Sequence, residues 1–326
     1  MNNGLTLSEL VLEVTNACHY RCIHCSTVGG LPLANELTQE ERLRVVRDAC
    51  TLGLRELRLL GGDPLLRMQE TFDLVSEANK WGLLRTHICT SAAQESLDWI
   101  SSLKAFTPIQ VSADASIYGA KPCIHDAITL HPGSFDRLLS SSREAVKVGF
   151  DLSWNFVWMK PNFADLIPVV RLASEIGIKR VRVLRLMLNG RAKENRSFLE
   201  LPPELEGRCH EVVQILEEND NGVELAYSKP LSFLLKKARM GTVEPCGAGC
   251  SQLVVQADGI VLPCVGMKGL PEMVIGNVRE DNLVDILSRA GTLHTSKLSH
   301  ELDECPAVLF QKGERLVQVA PSQGRG

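Results

Sequence analysis

The chain has 326 residues, a formal net charge of −4 and 44% hydrophobic residues. That length allows one large domain or two ordinary ones, with apolar material for a substantial core. No block of five or six like charges occurs, which argues against a nucleic-acid or membrane tail, and no apolar run reaches the roughly 18 residues that span a bilayer. The first nine residues are polar and lack a basic region followed by an apolar one, so no secretory signal is expected and the expected location is cytoplasmic. Eleven cysteines in a reducing compartment read as ligands, reactive thiols or small core residues rather than disulfides. A mildly acidic surface is compatible with a cationic substrate.

In chain order, short apolar runs alternate with longer amphipathic ones. A strand is predicted over Leu10–Val14, and directly after it come three thiols in eight residues, Cys18-x3-Cys22-x2-Cys25. In a parallel α/β protein that is the carboxyl end of the sheet, where active sites form. Three thiolates on one loop can ligate three irons of a [4Fe–4S] cube and leave the fourth iron open. The alternative is a zinc loop completed by His19 or His24.

A helix follows over Thr38–Leu52, opened by Thr38 with Glu41 three residues on, a capping-box pattern. The second strand, Glu56–Leu60, runs into Gly61-Gly62-Asp63-Pro64. Its two glycines permit close approach of backbone to a ligand, and a plain turn has the same composition. The remaining units pair a helix over Met68–Trp81 with strand Arg85–Cys89, and Gln94–Lys104 with strand Ile109–Ser112. Helix Ser134–Val148 precedes strand Leu152–Val157, Phe163–Ile176 precedes Val181–Leu186, and a helix over Pro203–Glu217 closes the series. Gly53, Gly82, Gly149 and Gly177 suit left-handed helix caps, and Ser134 reads as an N-cap. Polar residues stand at or near strand ends: Thr90-Ser91, Ser112, Asp114 and Asn155. Each fits either a ligand contact at a barrel mouth or turn capping.

Six strand–helix units imply a parallel sheet, and six are too few for a closed eightfold barrel. The expected fold class is α/β, an open partial (β/α)6 barrel over residues 9–220. After about Asp220 the rhythm changes. Residues 221–320 carry Cys246-Gly-Ala-Gly-Cys250, a predicted hairpin (Leu253–Gln256, a turn at Asp258-Gly259, Ile260–Leu262), Cys264, a helix over Leu283–Ala290 and a lone Cys305. They read as a small cysteine-bearing module, and 321–326 read as disordered. Cys50, Cys89, Cys123 and Cys209 read as small buried hydrophobes, with Cys123 in a loop.

Cys18, Cys22 and Cys25, followed by Gly61-Gly62-Asp63-Pro64, resemble the radical S-adenosylmethionine (SAM) superfamily. The resemblance implies that the open iron is chelated by the amino and carboxylate groups of SAM, and that an electron from the cluster cleaves the sulfonium. It implies further that the resulting 5′-deoxyadenosyl radical abstracts a substrate hydrogen atom. Asp63 stands where the family usually has Glu, and the role implied for it is contact with the methionine amino group. Gly61, Gly62, Ser112, Asp114 and Asn155 are the other cofactor-binding positions expected. The stretches His125-Asp126 and Gly133-Ser134-Phe135-Asp136 also match the subgroup, with a structural role.

The later cysteines resemble the SPASM/twitch extension of that superfamily. With only Cys246, Cys250, Cys264 and Cys305 available, one auxiliary cluster is implied, the shorter twitch-like form, making two [4Fe–4S] clusters in all. Cys246 and Cys264 match the hairpin pair and Cys305 the later block, while Val308 stands where the family often has another cysteine. Cys250 is then either the fourth ligand or a spare thiol able to donate a hydrogen atom to a substrate radical.

About nine residues precede the first strand, too few for a leader-binding domain, so a small-molecule substrate is expected before a peptide. The expected reaction is epimerisation of a small polar molecule, as in the aminoglycoside epimerases that the chain resembles, with Cys250 as the catalytic hydrogen-atom donor. The alternatives are dehydrogenation of an aminocyclitol alcohol, epimerisation or cross-linking of a ribosomally made peptide, and a non-enzymatic Fe–S electron-transfer role. The expected partners are the substrate and an external electron donor such as flavodoxin or ferredoxin, with no nucleic acid and no membrane.

Overall fold

Six parallel strands form where the apolar runs predict them: β1 (Glu9–Thr15), β2 (Glu56–Gly61), β3 (Arg85–Thr90), β4 (Gln110–Ile117), β5 (Leu152–Trp158) and β6 (Arg180–Arg185). The computed structural model describes residues 6–94, 96–106, 110–219, 221–239, 246–291 and 304–312. The expectations for Ile109, the first five residues and the tail 321–326 lie outside them. The strands pair in chain order, and β7 (Glu224–Tyr227) adds to β6 in parallel. Beyond β1 the sheet continues through β8 (Gln252–Val255), parallel to β1, and then β9 (Ile260–Leu262) and β10 (Gly276–Asn277), both antiparallel.

Side-chain alternation decides which way each strand faces. Leu10, Leu12 and Val14 of β1 join the main core with Leu57 and Leu59 of β2 and Ala113, Ala115 and Ile117 of β4. Intervening residues turn inward. Asp114 of β4 accepts from Arg58 of β2 at 3.1 Å and from Arg182 of β6 at 3.2 Å. Alternate strands meet this way only if the sheet curls around its inner face, as an open partial barrel does. Helices α1 (Gln39–Thr51), α2 (Met68–Lys80), α3 (Asp98–Lys104), α4 (Pro122–Thr129), α5 (Ser134–Val148) and α6 (Leu166–Ile176) fill the crossovers.

The Thr38–Glu41 capping box forms in both directions, at 3.3 and 2.7 Å. Ser134 is not the N-cap of α5. Gly133 holds that position at φ 80°, and Asp126 reaches across to accept from Gly133 N, Ser134 Oγ and Phe135 N at 2.7, 2.7 and 2.9 Å. Strand β4 runs five residues past its expected end, so Ser112 and Asp114 lie mid-strand. Its polar inward residues Ser112, Asp114 and Ser116 hide an ordinary period-two pattern.

The predicted hairpin forms with Gly259 at φ +90° in its turn. It extends the barrel sheet at β1, and β7 lies past residue 220 on the opposite edge, so one sheet crosses the expected 220/221 boundary. A second apolar cluster seats the C-terminal residues against the barrel: Val11 of β1 meets Phe233, Val254, Leu262, Met267 and Val308. A buried ion pair between Lys268 and Glu13 joins the same two parts. Among the described residues no helix is long and apolar enough to cross a membrane.

Candidate active site

The three-thiol loop leaves the carboxyl end of β1 and folds back on itself. Cys18 N donates to Gly30 O at 3.0 Å, and Cys25 N to Cys22 O at 3.2 Å. Backbone N–H groups point at two sulfurs: Tyr20 N lies 3.4 Å from Cys18 Sγ and Gly29 N 3.3 Å from Cys25 Sγ. The short helix Arg191–Glu194 clamps the loop from outside. Arg191 donates to Cys22 O at 2.8 Å and Gly29 O at 3.1 Å, and Asn195 Nδ2 to Ile23 O at 3.0 Å. Burial pushes the Cys18 thiol up to about 11 and the Cys22 thiol higher still, so metal binding here must expel their protons. Burial also lowers His24 to about 4. Among the described residues no three His, Cys, Asp or Glu donors converge as a single metal ion requires, whereas thiolates on separate irons of one cube need no such convergence.

The glycine pair packs closely against the backbone that leads into this loop. A Cβ on Gly61, which sits at φ +139°, would overlap Thr15 O, and one on Gly62 would overlap Ala17 O and Asn16 O. Gly62 N and Asp63 N each donate at 2.7 Å to Thr15 O and Ala17 O. Close approach is thus to the backbone just before Cys18. Gly61 and Gly62 still line the cavity described next.

Asp63 is held inside the protein at the end of the turn. It is fully buried and accepts from Leu65 N at 3.0 Å, Thr90 Oγ1 at 2.9 Å, Ser91 N at 3.1 Å and Ser91 Oγ. Its carboxylate is occupied in tying the end of β3 to the turn after β2, and Thr90 and Ser91 present their own atoms to the cavity instead. Asp is short enough to stay behind that wall.

Inside the barrel mouth is a cavity of about 280 Å³. Cys18, Cys22 and Cys25 border it, with Tyr20, Cys89, Ser116, Asn155 and the apolar Leu60, Val157, Leu184 and Met187. Ser112 and Asp114 do not reach it. Ser112 Oγ lies 2.6 Å from His87 Nδ1, and Asp114 is spent on Arg58 and Arg182. Ser116, on the same inward face of β4 but nearer its carboxyl end, takes the place expected of them. Asn155 does line the cavity. Its Oδ1 and the Tyr20 hydroxyl are buried without a hydrogen-bond partner, an arrangement that costs free energy unless a ligand completes it.

At the C-terminal side, burial first and the neighbouring Cys305 and Cys246 thiolates after it push the Cys264 thiol up to about 12. Cys250 precedes Ser251, whose carbonyl accepts from Ser8 N and Glu9 N at 2.8 and 3.0 Å. That is the amino end of β1, a strand of seven residues or about 20 Å away from the three-thiol loop. Cys250 is not among the residues that line this cavity. Of the four thiols expected in the core, Cys209 is buried, Cys50 is half-buried in α1, Cys123 is exposed on α4, and Cys89 faces the cavity.

A match to the radical SAM superfamily covers residues 12–173, and one to the SPASM iron–sulfur cluster-binding domain covers 246–306. This chain is a member of the radical SAM superfamily. It is similar to a PqqA peptide cyclase of Rhizobium meliloti (strain 1021), 29% identical over 85% of this chain and 72% of that protein. It is also similar to a probable GTP 3′,8-cyclase of Sulfurisphaera tokodaii, 23% identical over 87% of this chain and 85% of that protein. The fold matches Streptococcus suis SuiB bound to S-adenosylmethionine with a TM-score of 0.70 at 18% identity, covering 86% of this chain and 65% of SuiB. The radical SAM part binds SAM and a [4Fe–4S] cluster, and the SPASM part binds auxiliary Fe–S clusters. The unpartnered atoms of Asn155 and Tyr20, in one cavity wall with the thiols of Cys18, Cys22 and Cys25, fit such a cofactor set.

Proposed function

We propose that this radical SAM enzyme removes a hydrogen atom from a small polar substrate, such as an aminoglycoside, and returns one to the same carbon, a redox-neutral epimerisation. The observation that carries the reading is the cavity. It is a confined space of about 280 Å³ inside the barrel mouth, which bound SAM and the substrate share. Three thiols border it, and a charged row of Arg58, Asp114 and Arg182 adjoins Cys89 in its wall.

In this reading Cys18, Cys22 and Cys25 hold the catalytic cluster, and Cys246, Cys250, Cys264 and Cys305 hold one auxiliary cluster. Bound SAM supplies the 5′-deoxyadenosyl radical that performs the abstraction. The N–H groups of Tyr20 and Gly29 stabilise the Cys18 and Cys25 thiolates, and Arg191 keeps their loop in place. Asn155 Oδ1 accepts from, and the Tyr20 hydroxyl bonds to, the polar groups of the bound molecules. Leu60, Val157, Leu184 and Met187 exclude water from the reacting carbon. Electrons come from an external one-electron donor such as flavodoxin or ferredoxin.

A second reading is peptide modification, which the relative named as a peptide cyclase favours; the relative named as a probable GTP cyclase favours a small polar substrate. Anaerobic turnover in deuterium oxide, with an aminoglycoside panel in one arm and synthetic peptides in the other, separates the readings by product mass. Epimerisation replaces one carbon-bound hydrogen by deuterium, so the product is heavier by one mass unit. A product lighter by two hydrogens would establish dehydrogenation instead, and turnover of peptides alone would replace the small-substrate reading.

A further inference from the structure

We propose that Cys89 is the hydrogen-atom donor of this site, the thiol that quenches the substrate radical. The inference rests on the redox-neutral reading above and assigns its missing second half. Strand β3 turns His87 and Cys89 inward while Thr86, Ile88 and Thr90 are buried. Cys89 thereby enters the cavity wall together with Cys18, Cys25 and Asn155. In the same wall two side chains that are at least nine-tenths buried, Asn155 and Tyr20, each leave a polar atom unpartnered. They mark the cavity as a ligand site, and Cys89 lines that same cavity. Cys250 lies by the amino end of β1, outside the wall.

The surroundings suit the step. Cys89 Sγ lies 3.9 Å from Asp114 Oδ2 and 4.0 Å from Arg58 Nη2. Asp114 accepts the resting S–H, and rotation about the Cβ–Sγ bond turns that hydrogen towards the cavity for transfer. The carbon radical takes the hydrogen atom: a C–H bond forms, the weaker S–H bond breaks, and Cys89 is left as a thiyl radical. One electron from an external low-potential donor of the flavodoxin or ferredoxin class reduces the thiyl to a thiolate. Arg58 stabilises that thiolate, and a proton from water restores the thiol. Each turnover thus uses two electrons, one to cleave SAM and one to reset Cys89.

The test uses the full reconstituted chain with SAM and dithionite in deuterium oxide and no other substrate. The thiol is then S–D, and the deoxyadenosyl radical takes its atom from the thiol that faces the cavity. Wild type should give monodeuterated 5′-deoxyadenosine. Cys89→Ser keeps the size of the side chain, but its O–H bond is too strong to give up its atom, so the deuterated fraction should fall at least tenfold. Cys123→Ser, on the exposed face of α4, should leave that fraction unchanged. An equal deuterated fraction in Cys89→Ser and wild type would overturn the assignment. Iodoacetamide mapping of the reconstituted chain supplies a second readout. Cys89 should be alkylated, at least tenfold more slowly with SAM present, while Cys209 stays unlabelled. Labelling of Cys89 no faster than of the buried Cys209 would contradict its placement. Failure of wild type to form any 5′-deoxyadenosine would count against the proposed site as a whole, not against Cys89 alone.

Discussion

At Gly62 a side chain of any size would enter the space of the Ala17 carbonyl, one residue before Cys18. Gly62→Ala must therefore push back the thiol loop. We expect it to cost roughly 2–4 kcal/mol and to lower iron content after reconstitution, both readable by urea unfolding and iron assay. Asp63→Ala should leave buried donors at Leu65 N, Thr90 Oγ1 and Ser91 N without their acceptor, at about 3 kcal/mol or more. Its main effect is on the denaturation midpoint. A large loss of SAM affinity at unchanged stability would return Asp63 to direct cofactor contact. The Gly-Gly-Asp motif was legible in the sequence; its partners were not, because they come from loops that only the fold brings together.

His125 offers a pH test at the same scale. It is 1% exposed, its Nδ1 accepts from Tyr118 N at 3.2 Å, and burial lowers its pKa to about 4. The unfolded value is about 6.5. Between these pH values the unfolded chain binds the extra proton, so stability rises with pH across the window and is lost as the medium is acidified from about 6.5 towards 4. At about 1.4 kcal/mol per pH unit, the loss is roughly 3 kcal/mol. His125→Asn should flatten that dependence in urea titrations at pH 6.5 and 5, and an unchanged slope would assign the acid sensitivity to other groups.

Among elements, the helix Arg191–Glu194 has the most direct hold on the site. Arg191→Ala removes the bonds to Cys22 O and Gly29 O while leaving every thiol in place. Reconstitution should then be slower and the catalytic cluster's iron released several-fold faster to a chelator, with the auxiliary iron unaffected. Equal release rates would mean that the loop holds its shape unaided. Nothing in the sequence pointed to this helix, since its four residues carry no periodic pattern. The six barrel strands and the Thr38 capping box were legible because each shows in local spacing. Strand β4 was read short because its inward face is polar, and β7 was missed because four residues give too little alternation to recognise.

Across the whole molecule, the curled sheet sets the three-thiol loop at the carboxyl end of β1 and Cys250 by its amino end. The C-terminal residues dock through Val11, the Lys268–Glu13 pair and the Arg185–Glu304 bridge at 2.8 Å. The first cysteine group could be read from its spacing and the second from its resemblance to the SPASM/twitch extension; their distance apart, and the entry of Cys89 into the cavity, depend on how the sheet curls. The central claim is that Cys18, Cys22 and Cys25 at the barrel mouth hold the cluster that cleaves SAM. Its most direct test is iron content and 5′-deoxyadenosine formation in anaerobically reconstituted wild type and in the variant with all three replaced by Ala. The account predicts roughly eight irons per wild-type chain, about half of them lost in the variant, and no 5′-deoxyadenosine from it. Stoichiometric zinc without an iron chromophore in wild type, or continued SAM cleavage by the triple variant, would contradict it.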